Sequence, residues 1–394
     1  MIINKQRLEV RTDNILLLFH FILLLFVCTP YSSVAIFRQL ADILPYANLI
    51  YIMLACVKML RDHNIRNVSF LVLTTLAIAI ICALNGSSMG SASAYLTLTF
   101  GIYYVCTIGY NDSFMRIVNF IGYLYIIISA FGARNYFTSW NAYSNSINPN
   151  TLAVITLLFL LIININWINN SYNKIFVIAI NLLAIYNLWS FDSRSCLFGM
   201  AFYYVLVLMI SRKIKLPFKF FSIITAILFI GGIVFPLFYI NTPQWIISLV
   251  TNFTHKTFYS GRQAIWSRFF NTILHNRISF LIGPGSHMES YFGEVNLGSR
   301  NAYMSMHSSF LGIMLNFGIV GIILYFVILI LHLRDIFATN IGDSYISKIC
   351  YISYLTFLLV GYAEIILTNS YMVMAFNAFL GIAKYYSFNT KETI

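Results

Sequence analysis

Apolar residues come in long runs along this chain, separated by short polar segments. The first run, 15–28, follows Lys5, Arg7 and Arg11 in the manner of a signal peptide. No small-x-small cleavage site follows it and many more runs do, so an uncleaved first helix is expected. Eleven further runs lie at about 43–57, 68–84, 92–109, 115–132, 150–167, 174–190, 196–210, 220–240, 308–332, 346–363 and 370–386. A run of ~20 apolar residues is long enough to cross the hydrocarbon core of a bilayer. The pattern therefore predicts an all-α, polytopic integral membrane protein of about twelve transmembrane helices, with residues 1–394 forming one membrane domain. Two connecting segments are longer than turns, 133–149 and 241–307, and the second is long enough to hold short helices of its own.

Composition agrees and excludes a set of soluble domains. Hydrophobic residues make up 60% of the chain and charged ones 9%, against roughly 45–50% and about 25% in ordinary globular domains. Lys and Arg number 24 against 12 Asp and Glu, a formal charge of +12. In a soluble protein that surplus would suggest nucleic acid. Here topology absorbs most of it, because cytoplasmic segments retain basic residues. With the N-terminus inside, 16 of the 24 basic residues fall on the cytoplasmic side, the segment 212–219 being the most basic, and both termini face the cytoplasm. Eight fall outside, seven of them arginines: Arg38, Arg134, Arg194, Lys256, Arg262, Arg268, Arg277 and Arg300.

The outer arginines set the chemistry to look for. A planar guanidinium can hold two phosphate oxygens through parallel hydrogen bonds. Arg194, in SFDSRSCLFG, opens a span, although a pair with Asp192 closing a tight hairpin explains it as well. Arg38 has Asp42 one helical turn on. The run GRQAIWSRFF predicts a short amphipathic helix with Arg262 and Trp266 on one face. The glycines of Gly283-Pro284-Gly285 could expose backbone N–H groups to an anion. His307 stands at the mouth of the long apolar helix beginning near 308, which Ser308 or Ser309 could cap. Outer-loop aromatic and amide residues, among them Tyr136, Trp140 and Tyr303, suit sugar stacking or an interfacial belt. No nucleotide-binding P-loop, zinc-protease helix motif or carboxylate cluster is present, so neither a metal nor another cofactor is expected. The six cysteines read as packing residues.

Four short motifs together resemble the bacterial O-antigen polymerase and O-antigen ligase superfamily. They are Asn-Pro-Asn at 148–150, Asp-Ser-Arg-Ser at 192–195, Ser-Gly-Arg-x-x-Ile-Trp at 260–266 with Gly-Pro-Gly at 283–285, and His-Ser-Ser-Phe-Leu at 307–311. The resemblance implies glycan transfer from undecaprenyl diphosphate at the periplasmic face of the inner membrane. By it, Arg194 and Arg262 would contact diphosphate and His307 would sit at the reacting centre. Arg300 and Arg38 are further diphosphate candidates, and Trp266, Tyr303 and Asn150 are glycan candidates. His307 is the expected general base, with Glu289 as its rival. A polymerase is expected ahead of a ligase, since the ligase pattern commonly has His-Asn where this chain has His307-Ser308. A transporter or flippase for the lipid-linked unit is the reading from another class. The expected partners are lipid-linked oligosaccharide donor and acceptor, bilayer lipids, a chain-length regulator and a flippase, with no nucleic acid.

Overall fold

The computed structural model describes residues 14–29, 39, 44–61, 65–140, 148–170, 174–210, 218–254, 261–296, 301–303, 306–337, 344–369 and 372–389. Nine helices come first: α1 (Ile15–Val27), α2 (Leu44–Arg61), α3 (Ile65–Asn85), α4 (Met89–Thr107), α5 (Asp112–Trp140), α6 (Pro149–Asn170), α7 (Lys174–Ser190), α8 (Arg194–Met209) and α9 (Phe218–Ile240). The long segment after α9 folds into α10 (Gln244–Thr254), α11 (Arg262–His275), α12 (Arg277–Ile282) and α13 (Glu289–Gly293). Three long helices close the chain: α14 (Ser309–Phe337), α15 (Tyr345–Val360) and α16 (Val373–Asn389). A hairpin of two three-residue strands, with Glu294 opposite Tyr303, is the sole departure from helix pairing among the described residues.

Each of the twelve expected apolar runs coincides with a helix, α1–α9 and α14–α16. By length and composition alone, five of these helices could cross a membrane, namely α3, α5, α6, α9 and α14, and α1, α7, α8 and α15 are shorter apolar helices. The expected span 115–132 lies in a helix that runs on to Trp140, so part of the anticipated 133–149 loop is helical.

The apolar stretches divide by what they face. In α6, 83% of the apolar window is buried, against 22% in α3. Helix α6 is apolar all round and sits inside the bundle, as such helices must. On α3 the side chains of Leu73, Leu76, Ile80 and Leu84 are exposed at three- and four-residue spacing. A bare stripe of that kind suits a lipid neighbour and would be costly in water. Within the bundle, tyrosine and amide side chains tie helices together: Tyr95 donates to the Gly321 carbonyl (2.6 Å) and Asn187 to that of Ile126 (2.9 Å). The six cysteines are free, four of them buried.

Close approach of α8 to α15 depends on Gly199, where a Cβ would lie 2.4 Å from Val360 Cγ2. That contact brings the N-terminus of α8 beside the segment that follows α15.

Candidate active site

The site forms where the long 241–307 segment meets the ends of α6, α8, α14 and α15. Helix α14 supplies the frame. It is interrupted at Gly318 (φ 58, ψ −159), nine residues beyond its start. The interruption frees carbonyls that a continuous helix would use. Leu315 O accepts from Gly285 N–H (2.9 Å), and Asn316 O accepts from Asn85 Nδ2 (2.8 Å) and Ser87 Oγ (2.9 Å). Gly283 and Gly285 both have positive φ, 84° and 95°, and a Cβ on Gly285 would lie 2.0 Å from Asn85 O. The Gly-Pro-Gly run is thus a docking knot against α14. This corrects the expectation of an anion nest, since Gly283 N–H donates to Ser279 O and Gly285 N–H to Leu315 O.

Ser309 fastens a second piece. Its N–H donates to Gly361 O (2.8 Å) and Glu364 O (3.1 Å). Its Oγ donates to Glu364 O (2.7 Å) and accepts from Ile366 N–H (2.7 Å) and Leu367 N–H (3.2 Å). The anticipated capping role belongs to Ser308, whose Oγ accepts from Leu311 N–H (3.4 Å). One serine therefore pins the 361–369 strap, which lies between α15 and α16, to the head of α14.

On that strap sits Glu364, a buried carboxylate. Arg262 Nη2 bonds its Oε1 at 3.2 Å, and Ser195 Oγ donates to the same oxygen at 2.9 Å. Burial raises the Glu364 carboxyl above the usual range, while Arg262, Ser195 and a hydrogen bond from Asn150 act against the rise. Asn150 reaches it from the first turn of α6, where Asn148 Oδ1 accepts from its N–H (2.8 Å). Four separate elements thus meet on one carboxylate, and three of them carry motifs singled out in the sequence.

His307 precedes α14 with a left-handed backbone (φ 48). Burial lowers its pKa, and the neighbouring Arg262 charge lowers it further, to about 4. Its position is set by Trp266, whose indole N–H donates to Met306 O (2.7 Å). Trp266 is fully buried, 5.0 Å from the Tyr239 ring and 6.3 Å from Phe235. This corrects its expected glycan role: the ring is enclosed by α9 and α11, and what it orients is the backbone beside His307. The shared face of Arg262 and Trp266 is as the spacing predicted, both turning inward from α11.

Arg194 opens α8, one residue before Ser195 and two after Asp192, which itself has a positive φ of 59°. Glu289 heads α13, and burial raises its carboxyl. Tyr303 lies in the short hairpin. Arg300 and Arg38 lie outside the described residues.

Sequence reasoning missed Glu364. A signal was present: the topology count puts this carboxylate, between two apolar runs, at the same end of the bundle as Arg194 and Arg262. An ionisable group at a membrane edge calls for a partner.

Among known proteins, the family described as O-antigen ligase matches residues 179–326, a stretch containing Arg194, Arg262 and His307 but neither Asn150 nor Glu364. The match supports the O-antigen ligase and polymerase superfamily. No curated protein and no solved structure matches the chain.

Proposed function

We propose that this chain is a polymerase of the O-antigen ligase and polymerase superfamily. It passes a growing glycan from undecaprenyl diphosphate to the non-reducing end of a lipid-linked repeat unit, at the periplasmic face of the bacterial inner membrane. The observation that carries this reading is the meeting of Arg262, Glu364, Ser195 and Asn150, with His307 close enough for Arg262 to depress its pKa.

The chemistry follows from charge development. A hydroxyl of the acceptor attacks the anomeric carbon, and the bond from that carbon to the diphosphate oxygen breaks. The electron pair leaves with the diphosphate, and the hydroxyl proton passes to neutral His307. Negative charge grows on the leaving group, where preplaced cations lower the barrier. Arg262 serves there, and Arg194 beside Ser195 joins it. Glu364 is a positioning residue that holds Arg262 in place. A guanidinium has five donors, and the bond to Glu364 uses only one nitrogen. Diphosphate paired with Arg262 would cancel part of the cause of the low His307 pKa, so the base strengthens when the donor is bound. Direct displacement inverts the anomeric centre. An unchanged configuration between donor bond and product linkage would overturn that step.

A transporter fits less well. Among the described residues the buried charged side chains are Lys348, near the start of α15, and Glu364, beyond its end. Among the described residues no charged path crosses the middle of the bundle between them. The ligase is the second reading, because the matching family is described as O-antigen ligase. Gene deletion in the producing strain, followed by lipopolysaccharide gel analysis, separates the two. A single repeat unit on core is the expected result. Core without any repeat, with long lipid-linked chains accumulating, assigns the chain to ligation instead, and unaltered glycans overturn both.

A further inference from the structure

A cavity of about 330 Å³ borders the cluster, and no step above uses it. That volume falls within the ~300–1,000 Å³ of small-molecule sites. Its polar lining comes from Ser88, which caps α4, Ser91 in the first turn of α4, Glu289 of α13, Asn316 of α14 and Thr368 of the strap. Met306 and Ile365 also face it, and each is the chain neighbour of a site residue, His307 or Glu364.

Three features define what it would hold. Asn316 is 9% exposed, and its Oδ1 has no hydrogen-bond partner among the described residues, although its Nδ2 donates to Gly312 O at 2.9 Å. Buried amide oxygens are normally bonded, so this one suits a donor brought by a ligand. Around it stand hydroxyls that donate or accept, Ser88 Oγ and Ser91 Oγ being 3.0 Å apart, together with the Glu289 carboxyl. Two glycines, Gly90 and Gly312, belong to the walls. A Cβ on Gly90 would meet nothing nearer than Ser88 Oγ at 3.8 Å, and one on Gly312 nothing nearer than Thr368 Oγ1 at 3.7 Å. Missing side chains, not tight neighbours, keep the space open.

Among the described residues the lining has no cation, so it does not suit the diphosphate. It offers hydroxyl, amide and carboxyl groups, which suit a neutral polyol whose hydroxyls both donate and accept. We propose that this cavity is a carbohydrate subsite that takes a terminal sugar ring of the acceptor and presents its hydroxyl to His307. The acceptor role rests on the polymerase reading; the binding of a sugar does not.

The test uses the full-length protein in nanodiscs. Its probe is the free repeat-unit oligosaccharide, released by mild acid from the lipid carrier of the producing strain and titrated calorimetrically. Gly90→Met fills the cavity from a helix where methionine is a better former than glycine, and Asn316→Leu removes the unpartnered oxygen. Both should weaken oligosaccharide binding by about tenfold or more, with a matching rise in acceptor KM and little change in kcat or donor KM. Arg262→Ala should leave the binding intact. Wild-type affinity in both variants, or a fall in kcat at unchanged acceptor KM, overturns the subsite. Binding that depends on Gly90 without any transfer by the wild type sustains the subsite and sinks the polymerase reading. Transfer without such binding does the reverse.

Discussion

His307 shows how a single side chain is tuned by its neighbours. An imidazole half withdrawn from water beside a guanidinium resists protonation, which is why its pKa falls to about 4. Because that pKa is lowered, the neutral imidazole is present at ordinary pH and is lost only as pH falls through about 4. The acidic limb of kcat/KM, which reports the free enzyme, should therefore lie near pH 4; a limb at 6.5 would show that another group takes the proton. Removing the proposed base or its companion has a direct consequence. His307→Ala and Arg262→Ala should each lower elongation by about 10²–10⁴-fold, the range of general-base and preplaced-charge contributions. Immunoblots should show His307→Ala at unchanged membrane levels. Arg262→Lys should not restore activity, since an ammonium cannot keep the bond to Glu364 and grip diphosphate bidentately in one geometry. Full elongation in any of the three would unseat the assignment.

At the level of elements, the site depends on the strap 361–369 being held against the head of α14. A single hydroxyl, Ser309 Oγ, makes three of the bonds that hold it. Ser309→Ala leaves buried strap N–H groups without their acceptor, a loss of about 1–3 kcal/mol. It should appear as a lower melting temperature in detergent together with slower transfer. Glu364→Ala is the harsher change. It leaves Arg262, itself 16% exposed, without its counter-charge, and breaking such buried pairs costs about 3–5 kcal/mol. Glu364→Gln, which keeps the shape, should recover much of the stability and less of the activity. Equal recovery of both would argue that Glu364 acts through packing alone. The Gly-Pro-Gly knot belongs to the same scale: its glycines let one backbone approach another closely where α14 breaks.

Across the whole molecule, the charge distribution and the helix order together predict sidedness. The ends of α6, α8, α14 and α15 that build the site should share one side of the membrane with α11, and the basic 212–219 segment should lie on the other. Single cysteines at exposed His275 and exposed Lys174, in a background with the six native cysteines removed, test this with a membrane-impermeant maleimide. His275→Cys should label in cells with a permeabilised outer membrane, and Lys174→Cys only after lysis. Labelling of both before lysis would break the topology.

The twelve apolar runs, the long segment after α9 and the short helix carrying Arg262 and Trp266 were all legible in the sequence. Local hydropathy and helical spacing determine them, because an apolar run in a membrane pairs most of its backbone groups within its own helix. The candidate residues Arg194, Arg262 and His307 were read from motifs in the sequence too. Local pattern could not tell which aromatic side chain is buried, and Trp266 proved to be a packing anchor. Nor could it show that the Gly-Pro-Gly amides are spent on α14, or that the carboxylate holding Arg262 lies 102 positions away at Glu364. Those outcomes belong to the tertiary structure. They depend on which helix ends are brought together, and that is decided by close packing between distant helices, such as α8 against α15 at Gly199, which leaves no periodic trace along the chain.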